Sequence, residues 1–383
     1  MFNIPLISIL VFPLLVLGPL FPALPISTSI TMRLAIGIVI FSIVLAWYSR
    51  RAEAEKILVY ILFFALLICI VPIVIKEYDS FILAIILSGL LGFVAFRYFK
   101  LSMPLLGVFV FLCLYLVLYY LRNGNLEEAL YTAISGETVG ASRNFVGVVL
   151  LQYYLIYYAV CITNRIKPHH WPMFVMPMIA IMSAGVSSTV VAIALMFGYL
   201  VVNLRLRLKH GVLGLVFIAL VGLVASRWVE STLLFERLTS GQFVMSRALL
   251  WTDFFDKLDT HSIVVGFPKE ASFIDHEVSL KEVENLHNSY LNLYKKVGIF
   301  SCLYFGLIGY VAFALFGINK ILFMIYFASL IRAATDGYYF TSFLVDFIIF
   351  YLFMLTSLGK KLSISVKRLR QETRKQEYVR AVQ

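Results

Sequence analysis

The sequence predicts an all-α, polytopic membrane protein of about twelve transmembrane helices, and three observations predict it. Of its 383 residues, 61% are hydrophobic and only 14% are charged, whereas a soluble chain carries about a quarter charged residues. Mean hydropathy is +0.92, and apolar windows of the roughly 17–25 residues needed to cross a bilayer recur along nearly the whole length. Apolar and polar residues do not alternate with period two, as they would in an outer-membrane barrel.

Taken in order, the predicted spans lie at about 5–24, 34–49, 57–75, 81–96, 103–121, 144–163, 171–185, 188–204, 211–226, 297–318, 321–333 and 340–358. The first lacks a basic leader and is followed directly by further spans, so it reads as a span and not as a cleavable signal peptide. The seventh and eighth are short, with only "SAGVSS" (183–188) between them. Cys69, Cys113, Cys161 and Cys302 all fall inside apolar segments without C-x-x-C spacing. They read as small buried hydrophobes. No soluble domain, linker or repeat is visible, so residues 1–383 read as a single integral membrane domain.

The loops alternate in character. One set, "SRRAEAEK" (49–56), "RYFK" (97–100), "NRIKPHH" (164–170), "RLRLKH" (205–210), "NK" (319–320) and the tail 359–383, holds 19 Lys/Arg against 4 Asp/Glu. The positive-inside rule places that set and both termini in the cytoplasm. The net charge of +11 is then mostly topology, and no nucleic-acid partner is expected. The basic tail 359–383 reads either as solvated or as lying on anionic lipid. The loops 122–143 and 227–296 face the other side, an extracytoplasmic one. The second is the large loop of the molecule.

Within that loop, residues 245–258 place Leu249, Leu250, Phe254 and Phe255 at spacings that fit an amphipathic helix. Such a helix would cap the bundle or lie on the membrane. Arg247 and Trp251 are four apart and share a face, and "GFPKE" (266–270) ends the unit. From His287 the pattern reads as helical and continuous with the tenth span, with His287, Tyr290, Leu291 and Tyr294 on one stripe. A histidine at a helix start, beside free backbone N–H groups, suits anions and proton exchange. It equally suits a structural role. Asn288 and Asn292 fit helix-start positions, and the tyrosines fit interfacial anchors.

Arginines on the same side add to the histidine. Arg143 ends loop 122–143, Arg237 and Arg247 lie in the large loop, and Arg332 opens the last outer turn, "RAATDG". Arginine near hydrocarbon is costly, and its planar fork suits bidentate phosphate contacts. Together they suggest a pyrophosphate site. His261, His276 and His287 have irregular spacing and form no compact ligand motif, so no metal site is expected.

"SRALLWTDFFDKLDTHSIVVGFP" followed by "HNSYLNLYKKVGIFSCLYFGLI" resembles the O-antigen polymerase/O-antigen ligase family over roughly residues 183–315. The matching elements are Arg247 with Trp251, the turn Val264-Val265-Gly266, and His287-Asn288-Ser289-Tyr290-Leu291 with Gly298. The resemblance implies a GT-C-like fold in the cell inner membrane. It also implies a metal-independent glycosyltransferase without a cofactor, acting on undecaprenyl-diphosphate-linked saccharides in lipopolysaccharide or related polysaccharide biosynthesis. In that scheme His287 is base-like, while Arg247 and Arg143 hold the diphosphate. Arg237, Asn288, Tyr290, Trp251 and Arg332 contact substrate. A chain-length regulator and a repeat-unit flippase are the implied partners, besides membrane lipids. Many members carry Ser-Arg-Gly at the start of the eighth span, whereas this chain reads "GVSST" (185–189). Arg143 is the expected substitute. The reading is polymerase, with a ligase as the alternative. A lipid-linked sugar transporter is disfavoured, because interior charges are sparse, Asp346 being the clearest.

Overall fold

A computed structural model describes residues 4–17, 79–124, 126, 129, 144–183, 185–203, 242–268, 271–275, 281–283, 286–335 and 346–357. The expected spans 34–49, 57–75 and 211–226 and the tail 359–383 lie outside the described residues, as does most of loop 122–143. The described part is mostly helical: α1 (Ile4–Leu17), α2 (Asp79–Tyr98), α3 (Ser102–Asn123), α4 (Asn144–Thr163), α5 (Pro172–Met182) and α6 (Val186–Asn203). After these come α7 (Gln242–Asp256), α8 (Thr260–Val265), the strands β1 (Phe273–Asp275) and β2 (Lys281–Val283), and α9 (Ser289–Val297). The series ends with a 3-10 turn (Gly298–Phe300), α10 (Ser301–Ile318), α11 (Lys320–Thr335) and α12 (Asp346–Ser357). Three described stretches are long and apolar enough to cross a membrane by length and composition: Ser102–Asn123, Phe145–Thr163 and Ser289–Ile318, the last divided at Gly298. Shorter apolar helices accompany them, an arrangement compatible with an all-α membrane protein.

Helix α4 runs through the middle of the described bundle and packs against α3, α5, α6 and α11. Tyr153, Tyr154, Tyr157 and Tyr158 are buried on it. A phenol in an apolar interior needs a partner for its hydroxyl, and the 164–170 loop supplies two. Tyr154 donates to the His169 carbonyl at 3.2 Å, and the His169 N–H donates to the Tyr157 oxygen at 2.9 Å. Nearby, Asn164 donates to the Phe99 carbonyl at 3.3 Å, and Tyr351 to Thr163 at 2.8 Å. The loops "RYFK" and "NRIKPHH", grouped by charge in the sequence, thus meet at one end of the bundle.

Two expected spans differ from the structure. The seventh, expected over 171–185, is an 11-residue helix. At 1.5 Å per residue it is about 17 Å long, short of the roughly 30 Å hydrocarbon layer. The tenth was expected to continue straight from His287, and it does not. Tyr290 of α9 and Phe305 of α10 pack edge to face with ring centroids 5.6 Å apart. Fifteen residues of one straight helix would separate them by about 22 Å. The chain turns at Gly298, whose φ is 54°, and α9 folds back beside α10. Glycine is the residue that adopts this backbone without steric cost.

The large loop builds a core of its own from Leu250, Phe254, Phe267, Phe273 and Leu286. Of the four apolar positions expected on α7, Leu250 and Phe254 face this core while Leu249 and Phe255 are exposed. Strands β1 and β2 form an antiparallel pair with Ile274 opposite Glu282. The Asp253 carboxylate ties the pair to α7, accepting from the Ile274 N–H at 3.0 Å. Lys295 is buried; its Nζ lies 5.3 Å from the Phe273 ring centre and donates to the Ala271 carbonyl at 2.5 Å. Neither α8 nor the strand pair was expected from the sequence. Among the cysteines, Cys113 and Cys161 are buried as expected, whereas Cys302 is exposed.

Candidate functional site

Helix α9 begins at Ser289, two residues later than the histidine stripe implies. Asn288 is the N-cap, extended at φ −145°, and its Oδ1 accepts from the Tyr290 N–H at 2.9 Å and the Leu291 N–H at 3.2 Å. Such a cap satisfies donors that the helix cannot satisfy internally. His287 therefore precedes the helix and does not share a helical stripe with Tyr290, Leu291 and Tyr294. Its φ is 49°, a left-handed conformation that only a few per cent of non-glycine residues adopt.

The neighbours hold that conformation in place. Before the histidine, the Leu286 N–H donates to Asn292 Oδ1 at 3.0 Å, and the Leu286 carbonyl accepts from Trp251 Nε1 at 3.0 Å. After it, Asn288 is fixed by its cap. Both asparagines and the tryptophan thus locate His287 by binding backbone on either side of it. An unusual backbone angle persists where its surroundings over-determine it, and such positions cluster at functional sites.

The C-terminal end of α11 brings the other residues in. Tyr290 donates to the Leu330 carbonyl at 3.0 Å, seating α9 on α11. Two residues further along α11, Arg332 is 1% exposed. Its Nη1 donates to Ser187 Oγ in the first turn of α6 and, at 2.8 Å, to Thr335 Oγ1. Arg247 of α7 donates to the Thr335 carbonyl. Two guanidinium groups from helices 85 positions apart in the sequence therefore converge on one threonine. Gly147 of α4 admits the start of α6 to this corner, since a Cβ on it would meet Ser188 at 2.4 Å. Gly147, Ser188 and Arg332 help line a small internal cavity with room for about one water molecule.

Of the expected site residues, His287, Asn288, Tyr290, Arg247, Trp251 and Arg332 come together around α7, α9 and α11. Arg143 and Arg237 lie outside the described residues. Thr335 and Ser187 were not singled out from the sequence. Thr335 stands three residues after Arg332, a spacing that shares a helix face and was legible. Ser187 lies 145 positions away, and no local pattern indicates its role. Among the described residues, no three His, Cys, Asp or Glu side chains form a cluster suited to a metal.

Gly266 and Gly298 meet each other. A Cβ on Gly298 would stand 2.5 Å from the Val264 carbonyl oxygen and 2.6 Å from the Gly266 nitrogen. A Cβ on Gly266, where φ is 91°, would stand 2.5 Å from the Lys295 carbonyl oxygen. The Phe267 N–H donates to that same Lys295 carbonyl at 2.7 Å, and Tyr294 donates to the Ile263 carbonyl at 3.0 Å. Backbone packs on backbone here, joining α8 to the turn between α9 and α10. Compared with known proteins, the chain matches no family model, no curated protein and no solved structure.

Proposed function

We propose that this protein is a polysaccharide polymerase that joins undecaprenyl-diphosphate-linked oligosaccharide repeat units at the extracytoplasmic face of the cell inner membrane. The observation that carries the reading is the convergence of Arg247 and Arg332 on Thr335, at the end of the helix on which the His287 segment is seated. Planar, permanently charged forks suit a diphosphate, and a histidine fixed nearby suits a hydroxyl that must lose a proton. The resemblance of the His-Asn-x-Tyr-Leu segment to O-antigen polymerases and ligases supplies the donor class.

In the proposed reaction the acceptor sugar hydroxyl attacks the anomeric carbon of the donor. The new glycosidic C–O bond forms as the bond to the diphosphate oxygen breaks. Undecaprenyl diphosphate leaves with the bonding electron pair, its charge balanced by Arg247 and Arg332, and His287 receives the hydroxyl proton. Charge stabilisation by preorganised donors and general-base catalysis are the two terms invoked.

The test is reconstitution. Purified protein in liposomes, given undecaprenyl-diphosphate-linked repeat units, is expected to yield a ladder of longer lipid-linked chains and free undecaprenyl diphosphate. The ladder is expected to persist in EDTA. Transfer of the saccharide only to an added lipid A core would identify a ligase instead, and no transfer to either acceptor would overturn the glycosyltransferase reading. His287→Ala is expected to lower the rate by about 10²–10⁴-fold at unchanged protein level. Arg247→Lys is expected to be severely impaired, because an ammonium has no two-pronged geometry.

A further inference from the structure

Helix α10 has 18 residues and rises about 27 Å, close to the roughly 30 Å of a hydrocarbon layer. If α10 crosses the bilayer, its first residue Ser301 stands at one edge of that layer. The 3-10 turn Gly298–Phe300 lies directly above it. Helix α8 sits against this turn, with the Val264 carbonyl within 2.5 Å of where a Gly298 Cβ would be. The height of α8 is therefore set by backbone contact and by the Tyr294 bond to the Ile263 carbonyl.

At that height α8 exposes two large aliphatic side chains, Ile263 at 43% and Val264 at 46%. Ile299 and Leu303, the next apolar residues below, are 50% and 41% exposed. The exposed row then continues down α10 through Gly306, Tyr310, Phe313 and Phe316, at the three- to four-residue spacing of a single helix face. A polar start (Asp259, Thr260, His261) precedes the aliphatic pair on α8. A short element that is polar at its start, aliphatic at its end and level with the top of a lipid-facing stripe has the make-up of an interfacial anchor.

We infer that Ile263 and Val264 of α8 insert into the headgroup–acyl boundary of the bilayer leaflet next to the α9–α10 turn, so that the membrane itself is a docking partner of the large loop. The occupant is phospholipid, because the patch is continuous with the face that α10 presents to the hydrocarbon. Anchoring there fixes the height of the unit that carries Arg247 and Trp251 relative to α11. The inference rests on α10 crossing the bilayer and stands or falls independently of the proposed catalysis.

The experiment places a photo-crosslinking amino acid at Val264, and separately at Ile263, in the full chain reconstituted with radiolabelled phosphatidylcholine. Phe313, 79% exposed on α10, is the positive control, and the exposed Lys257 is the aqueous control. A phospholipid adduct at 263 and 264, comparable with that at 313 and several-fold above that at 257, is the expected result. Absence of lipid adducts at both positions while 313 is labelled would overturn the proposal. A protein–protein adduct at 263 or 264 in place of lipid would overturn it too, because the patch would then be covered by a polypeptide.

Discussion

Arg332 illustrates what single residues contribute. It is almost completely buried at the end of an apolar helix, where an arginine without partners would be costly. Ser187 and Thr335 meet part of its hydrogen-bonding demand, and neither carries a charge. Arg332→Lys is therefore expected to retain the charge but lose the fork that reaches two hydroxyls at once. Polymer formation in the reconstituted assay is expected to fall at least tenfold with protein level unchanged. Normal ladders from Arg332→Lys would remove Arg332 from the proposed diphosphate site. The glycines make a sharper structural prediction. Gly298→Ala and Gly266→Ala each place a Cβ about 2.5 Å from a carbonyl oxygen at a positive φ, and overpacking of this kind costs about 1–3 kcal/mol. Gly306 has open space around it, so Gly306→Ala is expected to leave thermal unfolding in detergent unchanged while the other two lower the midpoint.

At the scale of elements, the described part of the large loop is a small folded unit with its own core. Within it, the Trp251 indole N–H donates to the carbonyl of Leu286, the residue before the histidine. Trp251→Phe keeps most of the ring and deletes that bond, so a loss of about 1 kcal/mol is expected. Activity is expected to fall more than stability, because the released Leu286 carbonyl adjoins His287; equal losses in both would make Trp251 purely structural. Helix α8 starts with a capping box in which the Ser262 N–H donates to Asp259 at 2.7 Å and the Asp259 N–H donates to Ser262 Oγ at 2.8 Å. The Ser262 hydroxyl, and next its backbone N–H, hold the Asp259 carboxyl below the usual carboxylate range. A depressed pKa means that the unfolded segment binds the proton more readily. The cap's contribution is then complete above the ordinary value of about 3.9 and disappears as pH falls through the lower folded value. Amide exchange at Ser262, corrected for its intrinsic rate, is expected to accelerate on acidification below about pH 4. In Asp259→Asn that pH dependence is expected to vanish.

At the scale of the whole molecule, helix ends sort into two groups. Residues 98–100 and 163–170 meet at one end of α4, while Ser187, the His287 segment and Thr335 meet at the end of α11. The charge bias of the loops predicts that these ends face opposite sides of the membrane. Single cysteines at Lys100 and His261, both exposed, are expected to react with an impermeant maleimide from opposite sides of sealed vesicles. Labelling of both from one side would overturn the orientation and, with it, the extracytoplasmic site.

The sequence by itself determined the class of molecule and where most described helices lie, because both follow from local quantities: hydropathy summed over a window, and polar residues at window ends. It also marked His287, Arg247, Arg332, Gly266 and Gly298 as residues worth explaining. The tertiary structure decided how they relate. A helical pattern from 287 to 318 looks the same whether the chain runs straight or folds back at Gly298, since hydropathy carries no record of a single positive φ. The hairpin of α9 on α10, the pinning of Leu286 by Trp251 and Asn292, and the meeting of Arg247 with Arg332 at Thr335 are contacts between distant segments. Their energy comes from packing and hydrogen bonds that exist only once those segments are adjacent, so no pattern along the chain encodes them.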